Sequence, residues 1–361
     1  MFCVFLMIRS AFTDFFAEIP SCVSRYQYGA TLYNHYVSNC VFGKNGGITG
    51  NGGVFCFENA IVHFVVEECS FDTCYVAGSS YRGGAIYFSC SSGGVALSKV
   101  CAYNCYMTSS SGVSNSGVFA YLLASSVDKI QLSLVTMNTC SSKTYMNNRF
   151  SSIYIQNSNT YITNFNSSYN YLADKSGFEL SSCIINVINF TTVASNISPN
   201  TYVVSLTGGN SNQIHSYLNI VNNSSPYIIY SGVTNVLRLC VFTQNSGTLF
   251  QGAFSMKQCS IVHPVSSLGS YSSMDSSNCI NNDLCLNSTH DIPHFASHYC
   301  ITPTPAETPS PTIIEQGDLA TPHQSIPLSP TNCIYESIPN NSLFLLSAFQ
   351  ISLSLTSLVI L

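Results

Sequence analysis

Short apolar segments led by small residues return along most of this chain. They begin as Gly52-Gly53-Val-Phe-Cys-Phe, Gly83-Gly84-Ala-Ile-Tyr-Phe and Ser116-Gly117-Val-Phe-Ala-Tyr. Looser copies start at Ser151, Ser176, Thr201, Pro226 and Ser246. The spacing opens at about 31 to 35 residues and tightens to roughly 21 to 25, a range that signals stacked repeats. A second segment follows each copy: IVHFVV from Ile61, VALSKV from Val95, KIQLSLV from Lys129, TYITNF from Thr160, CIINVINF from Cys183, IHSYLNIV from Ile214, NVLRLCVF from Asn235 and FSMKQCSIV from Phe254. Alternating apolar and polar residues with many Val, Ile, Phe and Tyr predict half-buried strands. Gly, Ser and Asn between them suit turns. No helical period persists outside the two ends of the chain.

Repeated strand–turn–strand units without helices leave few folds. A propeller blade needs four strands in about 40–45 residues, and a sandwich has no reason to repeat in sequence. The expectation is an all-β chain, a right-handed single-stranded parallel β-helix of about eight coils. Equivalent strands then lie about 4.8 Å apart, giving a rod on the order of 40 Å long. Side chains stack on their own kind, as in an apolar column of Phe55, Ile86 and Phe119. A polar side chain at a turn bonds to its neighbour in the next coil.

Composition narrows the function. Only 7% of residues are charged, 46% are hydrophobic, and 11 Lys and Arg stand against 16 Asp and Glu, a net charge of −5. That balance excludes a disordered polyelectrolyte and argues against a nucleic-acid partner. Seventeen cysteines, an odd number, point to a disulfide-permissive compartment with at least one thiol free or paired between chains. Seven sites for N-glycosylation match N-x-[ST]: Asn166, Asn189, Asn196, Asn222, Asn223, Asn287 and Asn340.

The ends divide the chain further. Residues 1–20 contain an apolar run, FCVFLMI from Phe2, and read as a signal peptide or an N-terminal cap. Residues 21–265 form the repeat domain and 266–300 an irregular Cys-rich segment. Residues 301–342 are a Pro/Ser/Thr-rich stalk, extended and disordered. Residues 343–361, LFLLSAFQISLSLTSLVIL, carry no charge and read as a hydrophobic helix that makes the membrane a partner. Either a spanning helix or a GPI signal fits, the latter with small residues at Asn332 and Cys333 and a polar spacer from Ile334.

Two phrases recur within the repeats. Phe42-Gly-Lys-Asn45 and Phe242-Thr-Gln-Asn245 are F-x-x-N, Phe71-Asp-Thr-Cys74 carries Cys for Asn, and Gly83-Gly84-Ala85-Ile86 is G-G-A-I. Over about residues 36 to 265 the chain resembles the polymorphic-outer-membrane-protein repeat of bacterial autotransporter-like proteins and of protist surface proteins. The resemblance implies a right-handed parallel β-helix, surface exposure and an adhesive or interaction role. No autotransporter barrel follows the repeats, which departs from the bacterial arrangement.

Candidate chemistry is sparse. Cys40, Cys69 and Cys101 lie about one coil apart, as do Cys74 and Cys105; they read as a disulfide column or as a stack of buried thiols. Cys279, Cys285 and Cys300 read as staples of the irregular segment. His290, His294 and His298 near Cys300 have metal-ligand spacing, but Pro293 breaks the helix that would align them. No cofactor motif is present. A glycan-cleaving site needs paired carboxylates, and Asp72, Asp128 and Asp174 fall at different phases of the repeat. The reading is a membrane-anchored, non-enzymatic cell-surface protein that binds a glycan or protein ligand in adhesion or display. The alternative is a β-helical polysaccharide lyase or hydrolase.

Overall fold

The computed structural model describes residues 32–43, 50–58, 61–77, 81–108, 117–125, 128–140, 151–281 and 289–293. The proposed signal peptide, the stalk and the anchor lie outside them. The described chain is all β apart from one short 3-10 turn, Val265–Ser267, and every strand pairing in it is parallel. Most strands pair with their equivalents in the preceding and following layers. Thus Ile61–Asp72 lies between Leu32–Ser38 and Ser92–Tyr103, and Lys129–Asn138 lies between Ser92–Tyr103 and Asn159–Ser168. This is the arrangement of a β-solenoid. The ladder continues past residue 265, where the sequence periodicity fades, to Ser273–Met274 and Cys279–Ile280.

Register turns single residues into columns. Val66, Leu97, Leu132, Ile162, Ile188 and Leu237 line one inward column, all buried, and His215 sits between the last two. On the first strand of each layer Phe57, Phe88, Leu122, Ile155, Leu180 and Leu206 form another. Residues between them point outward, as strand alternation requires.

Two recurring corners are made by single non-glycine residues in the left-handed region, and Asn157 and Ser182 make a third in two layers. One corner column runs through Glu68, Lys99, Leu134, Asn164, Phe190 and Tyr217, with φ between 49° and 56°. The second runs through Thr73, Asn104, Thr139, Tyr169, Ser195, Asn222 and Gln244, with φ between 51° and 57°. An L-residue there costs about 1–2 kcal/mol. The residues after the second corner supply an offset. Cys140 N–H donates to Asn170 Oδ1 at 2.8 Å, Asn170 N–H to Asn196 Oδ1 at 3.0 Å, Asn196 N–H to Asn223 Oδ1 at 3.0 Å and Asn223 N–H to Asn245 Oδ1 at 3.1 Å. The amides of Asn196, Asn223 and Asn245 also donate back to a carbonyl, as Asn196 Nδ2 does to Ser167 O at 2.8 Å, while Asn170 Nδ2 donates to Ser167 Oγ. In earlier layers Cys74, Cys105 and Cys140 hold the same place, and their thiols donate to carbonyls such as Phe42 O, Phe71 O and Ala102 O. This explains F-x-x-N and its Cys variant: Phe71 and Phe242 fill the core, and the fourth residue bridges layers. Asn45 lies outside the described residues.

The G-G-A-I phrase has a steric cause. Gly52, Gly83 and Gly117 adopt φ of +67°, +68° and +75°. The next residue is closely approached by the following layer: a Cβ on Gly84 would lie 2.0 Å from Val118 O and 2.8 Å from Tyr106 O. These angles make Gly117 the equivalent of Gly83, not of Gly84. The expected column is therefore corrected. Phe55 stacks on Ile86 and Ile86 on Ala120, while Phe119 falls one residue out of register, its carbonyl accepting from Ala85 and Ile86 N–H. We predict that Gly84→Ala costs on the order of 3 kcal/mol or more in chemical denaturation. Gly43→Ala, whose Cβ would meet nothing within 4 Å, should change stability by less than about 0.5 kcal/mol.

Candidate functional site

Two outward faces concentrate side chains with recognition chemistry. On the first strand of successive layers, Cys56, Tyr87, Tyr121, Tyr154 and Glu179 occupy one outward column. The tyrosine rings stack with centroids 5.2 and 5.1 Å apart and planes within 15°. Arg82 lies 4.8 Å from the Tyr121 centroid, and its Nη1 donates to Tyr121 Oη at 3.0 Å. Burial pushes the Tyr121 hydroxyl up to about 12. The Glu179 carboxyl is raised by desolvation, opposed by Lys175 Nζ at 3.5 Å. Tyr87 and Tyr121 are largely covered, so this column braces the sheet and offers mainly its edge and the half-buried Tyr154 to solvent.

The next face, formed by the strands before the first corner, is open. Tyr161, Val187, Ile214 and Val236 form one outward column, and Thr163, Asn189, Ser216, Arg238 and Lys257 the neighbouring one. At its far end a groove of about 420 Å³ is lined by Ile214, Val236, Arg238, Lys257, Gln258, Asp275 and Ser277. Ile214 is 54% exposed, and Arg238 and Lys257 are exposed on adjacent rungs. Sequence reading overlooked this pair, although Arg238 and Lys257 hold the fourth position of the segments starting at Asn235 and Phe254.

The cysteines divide. Cys40, Cys69, Cys74 and Cys105 are buried. Cys40 and Cys69 stack, with Cys40 N–H reaching Cys69 Sγ at 3.4 Å. Cys101 leaves that column: Cys69 pairs with Val100 and Ser70 with Cys101, so a one-residue offset turns Cys101 to the opposite side of the strand. Cys101 and Cys279 are each in a disulfide, with partners other than one another, since several layers separate them. Cys279 lies in the ladder rather than in an irregular segment; Cys285 and Cys300 lie outside the described residues.

The sequons divide as well. Asn196 and Asn223 are buried rungs of the internal ladder, and their amide nitrogens donate to Ser167 O and Val193 O. A glycan on either would remove that rung. Asn166 Oδ1 is buried without a partner. Asn222 is exposed at a corner, its Nδ2 donating to Ser195 Oγ at 3.1 Å, and Asn189 stands half-exposed on the open face. Asn287 and Asn340 lie outside the described residues.

Most of the carboxylates have a local partner and stand apart, except that Asp174 lies near enough to Glu179 for its charge to help raise the Glu179 carboxyl. Asn51 Nδ2 donates to Glu58, Tyr36 Oη to Glu67, Lys99 pairs with Glu68 at 2.8 Å, and Thr73 Oγ1 donates to Asp72. Asp128 Oδ2 accepts from Gly93 N–H and Ser125 Oγ, tying two layers. Asp174 acts through its carbonyl, which accepts from Tyr202 N–H and Thr201 Oγ1. Glu58 and Glu179 share one side of the first strand but stand four layers, about 19 Å, apart. Paired glycosidase carboxyls stand about 5–10 Å apart.

His290 straps the outside of the rod. Its N–H donates to Asn219 Oδ1 at 2.9 Å, its carbonyl accepts from Asn219 Nδ2 at 2.8 Å, and its Nε2 lies 2.7 Å from Leu239 O. His294, His298 and Cys300 lie outside the described residues. Among those described, no group of three His, Cys, Asp or Glu has metal-holding geometry, and no helix is long and apolar enough to cross a membrane. Comparison of the chain with models of known families, with curated proteins and with solved structures gives no match.

One histidine sits wholly inside the core. His215 is fully buried, its Nε2 lies 3.3 Å from Asn235 Oδ1, and its Nδ1 has no partner. Burial lowers its pKa from 6.5 to about 4, against a smaller upward effect of Asn235. The folded state therefore holds it neutral while the unfolded state takes a proton. Stability present above pH 6.5 is lost as pH falls towards 4, by about 3 kcal/mol in total. Denaturant titrations across that range should show this loss, and His215→Leu should flatten it.

Proposed function

We propose that this chain is a right-handed, single-stranded parallel β-helix of about eight coils that works at the cell surface. It acts without catalysis, in adhesion or ligand display, tethered to the membrane through residues 343–361 and lifted from it by the Pro-rich stretch before them. Right-handedness follows the rule for parallel crossovers, which holds in about 98% of cases. The observation that carries the reading is the open face before the first corner. Its side chains repeat at layer spacing on a backbone paired on both sides, so a ligand meets a rigid periodic surface with little ordering cost. The G-G-A-I and F-x-x-N phrases, similar to polymorphic-outer-membrane-protein repeats, support the same assignment. The ligand is a glycan or a protein.

Labelling intact cells with a membrane-impermeant amine or sugar reagent tests the location. Labelled chain on intact cells is the expected result, and release by a phospholipase that cleaves GPI anchors separates a GPI tether from a spanning helix. Labelling only after permeabilisation contradicts the proposal. Release of reducing or unsaturated sugars from acidic polysaccharide by the purified chain would favour the enzymatic alternative.

A further inference from the structure

We infer that the groove at the far end of the open face binds an anionic sugar, with Arg238 and Lys257 holding the anion. This deepens the surface-binding proposal and rests on it. The argument begins with charge. Six Lys and Arg side chains lie among the described residues. Lys99 and Lys175 form ion pairs with Glu68 and Glu179. Arg82 and Lys129 lie over the rings of Tyr121 and Tyr161, at 4.8 and 5.3 Å. Arg238 and Lys257 alone in this set have neither an ion pair nor a ring, and register places them on adjacent rungs, about 4.8 Å apart along the rod.

Their surroundings fit the purpose. Arg238 Nε donates to Gln258 Oε1 at 3.5 Å, which leans the guanidinium towards its neighbour. Asp275, the acid in the groove, accepts from Ser277 N–H, Ser277 Oγ and Asn278 Nδ2, so its charge is engaged in its own turn. Two cations and one engaged carboxylate leave the groove positive on a chain of net charge −5. Ile214 and Val236 form an aliphatic floor beside them. Cations at one edge of an apolar floor match a pyranose ring, whose C–H face packs on aliphatic carbon while its carboxylate or sulfate takes the charge-assisted bonds. The volume of about 420 Å³ suits a short oligosaccharide. A peptide fits less well. Extended peptides bind by adding to a free sheet edge, and the strands that carry Ile214, Val236, Arg238 and Lys257 are paired on both sides.

The test is titration of the full-length chain with five probes: a galacturonate tetrasaccharide, a heparin-type tetrasaccharide, maltotetraose, a Glu-rich hexapeptide and inorganic phosphate. Binding of at least one anionic tetrasaccharide is expected, weaker at higher salt, and the two anionic arms distinguish carboxylate from sulfate. Arg238→Gln and Lys257→Gln should each weaken it on the order of tenfold with the melting temperature unchanged, and Lys99→Gln should leave it intact. Equal affinity for maltotetraose, binding confined to peptide or phosphate, or indifference to both groove substitutions overturns the inference. A surface-labelled chain that binds no anionic sugar removes this ligand but leaves the surface proposal standing. A chain that binds sugar but stays inside the cell does the reverse.

Discussion

Every part of this structure depends on parallel backbones approaching at rung distance while the chain turns. Each turn places a corner residue in a strained region and leaves inward amides to be satisfied. The following layer satisfies them. Asn170, Asn196, Asn223 and Asn245 bond both the backbone and the side chain of their neighbours. No layer of this kind is complete alone, so stability belongs to the stack, as in other solenoids. The thiols of Cys74, Cys105 and Cys140 are a drier version of the same device, fitted to layers whose neighbouring core is rich in Phe.

Much of this was legible in the residues. Apolar alternation located the strands, and the Gly pairs marked where backbones meet most closely. F-x-x-N located the inter-layer rung, although its asparagines also read as sequons. Asn196 and Asn223 show the ambiguity: one tripeptide serves a glycan on a surface and a ladder in a core, and only burial separates them. The corners were not legible. Glu68, Leu134, Phe190 and Tyr217 share a conformation but no chemistry, because their side chains point outward and the layer geometry alone imposes their φ. Register was hard for the same reason. A one-residue shift at Gly117 moved Phe119 out of its column, and another moved Cys101 away from Cys69.

The functional argument follows from what the ladder leaves outside. Inward columns are committed to packing and outward ones are free to vary. The tyrosine column spends its rings on one another and on Arg82, whereas the face carrying Ile214, Arg238 and Lys257 presents apolar and cationic groups together. A rigid face with few charges gives each unneutralised cation disproportionate weight in recognition.

Stacking in register is the central claim, and pulsed electron-spin distances test it most directly. Spin labels placed pairwise on the outward column at Ser133, Thr163, Asn189, Ser216 and Lys257 should separate in steps of about 4.8 Å per layer, reaching about 24 Å between Ser133 and Lys257. Distances that alternate or fail to grow with layer number would mean that neighbouring segments run antiparallel, and the rod with its faces would be lost.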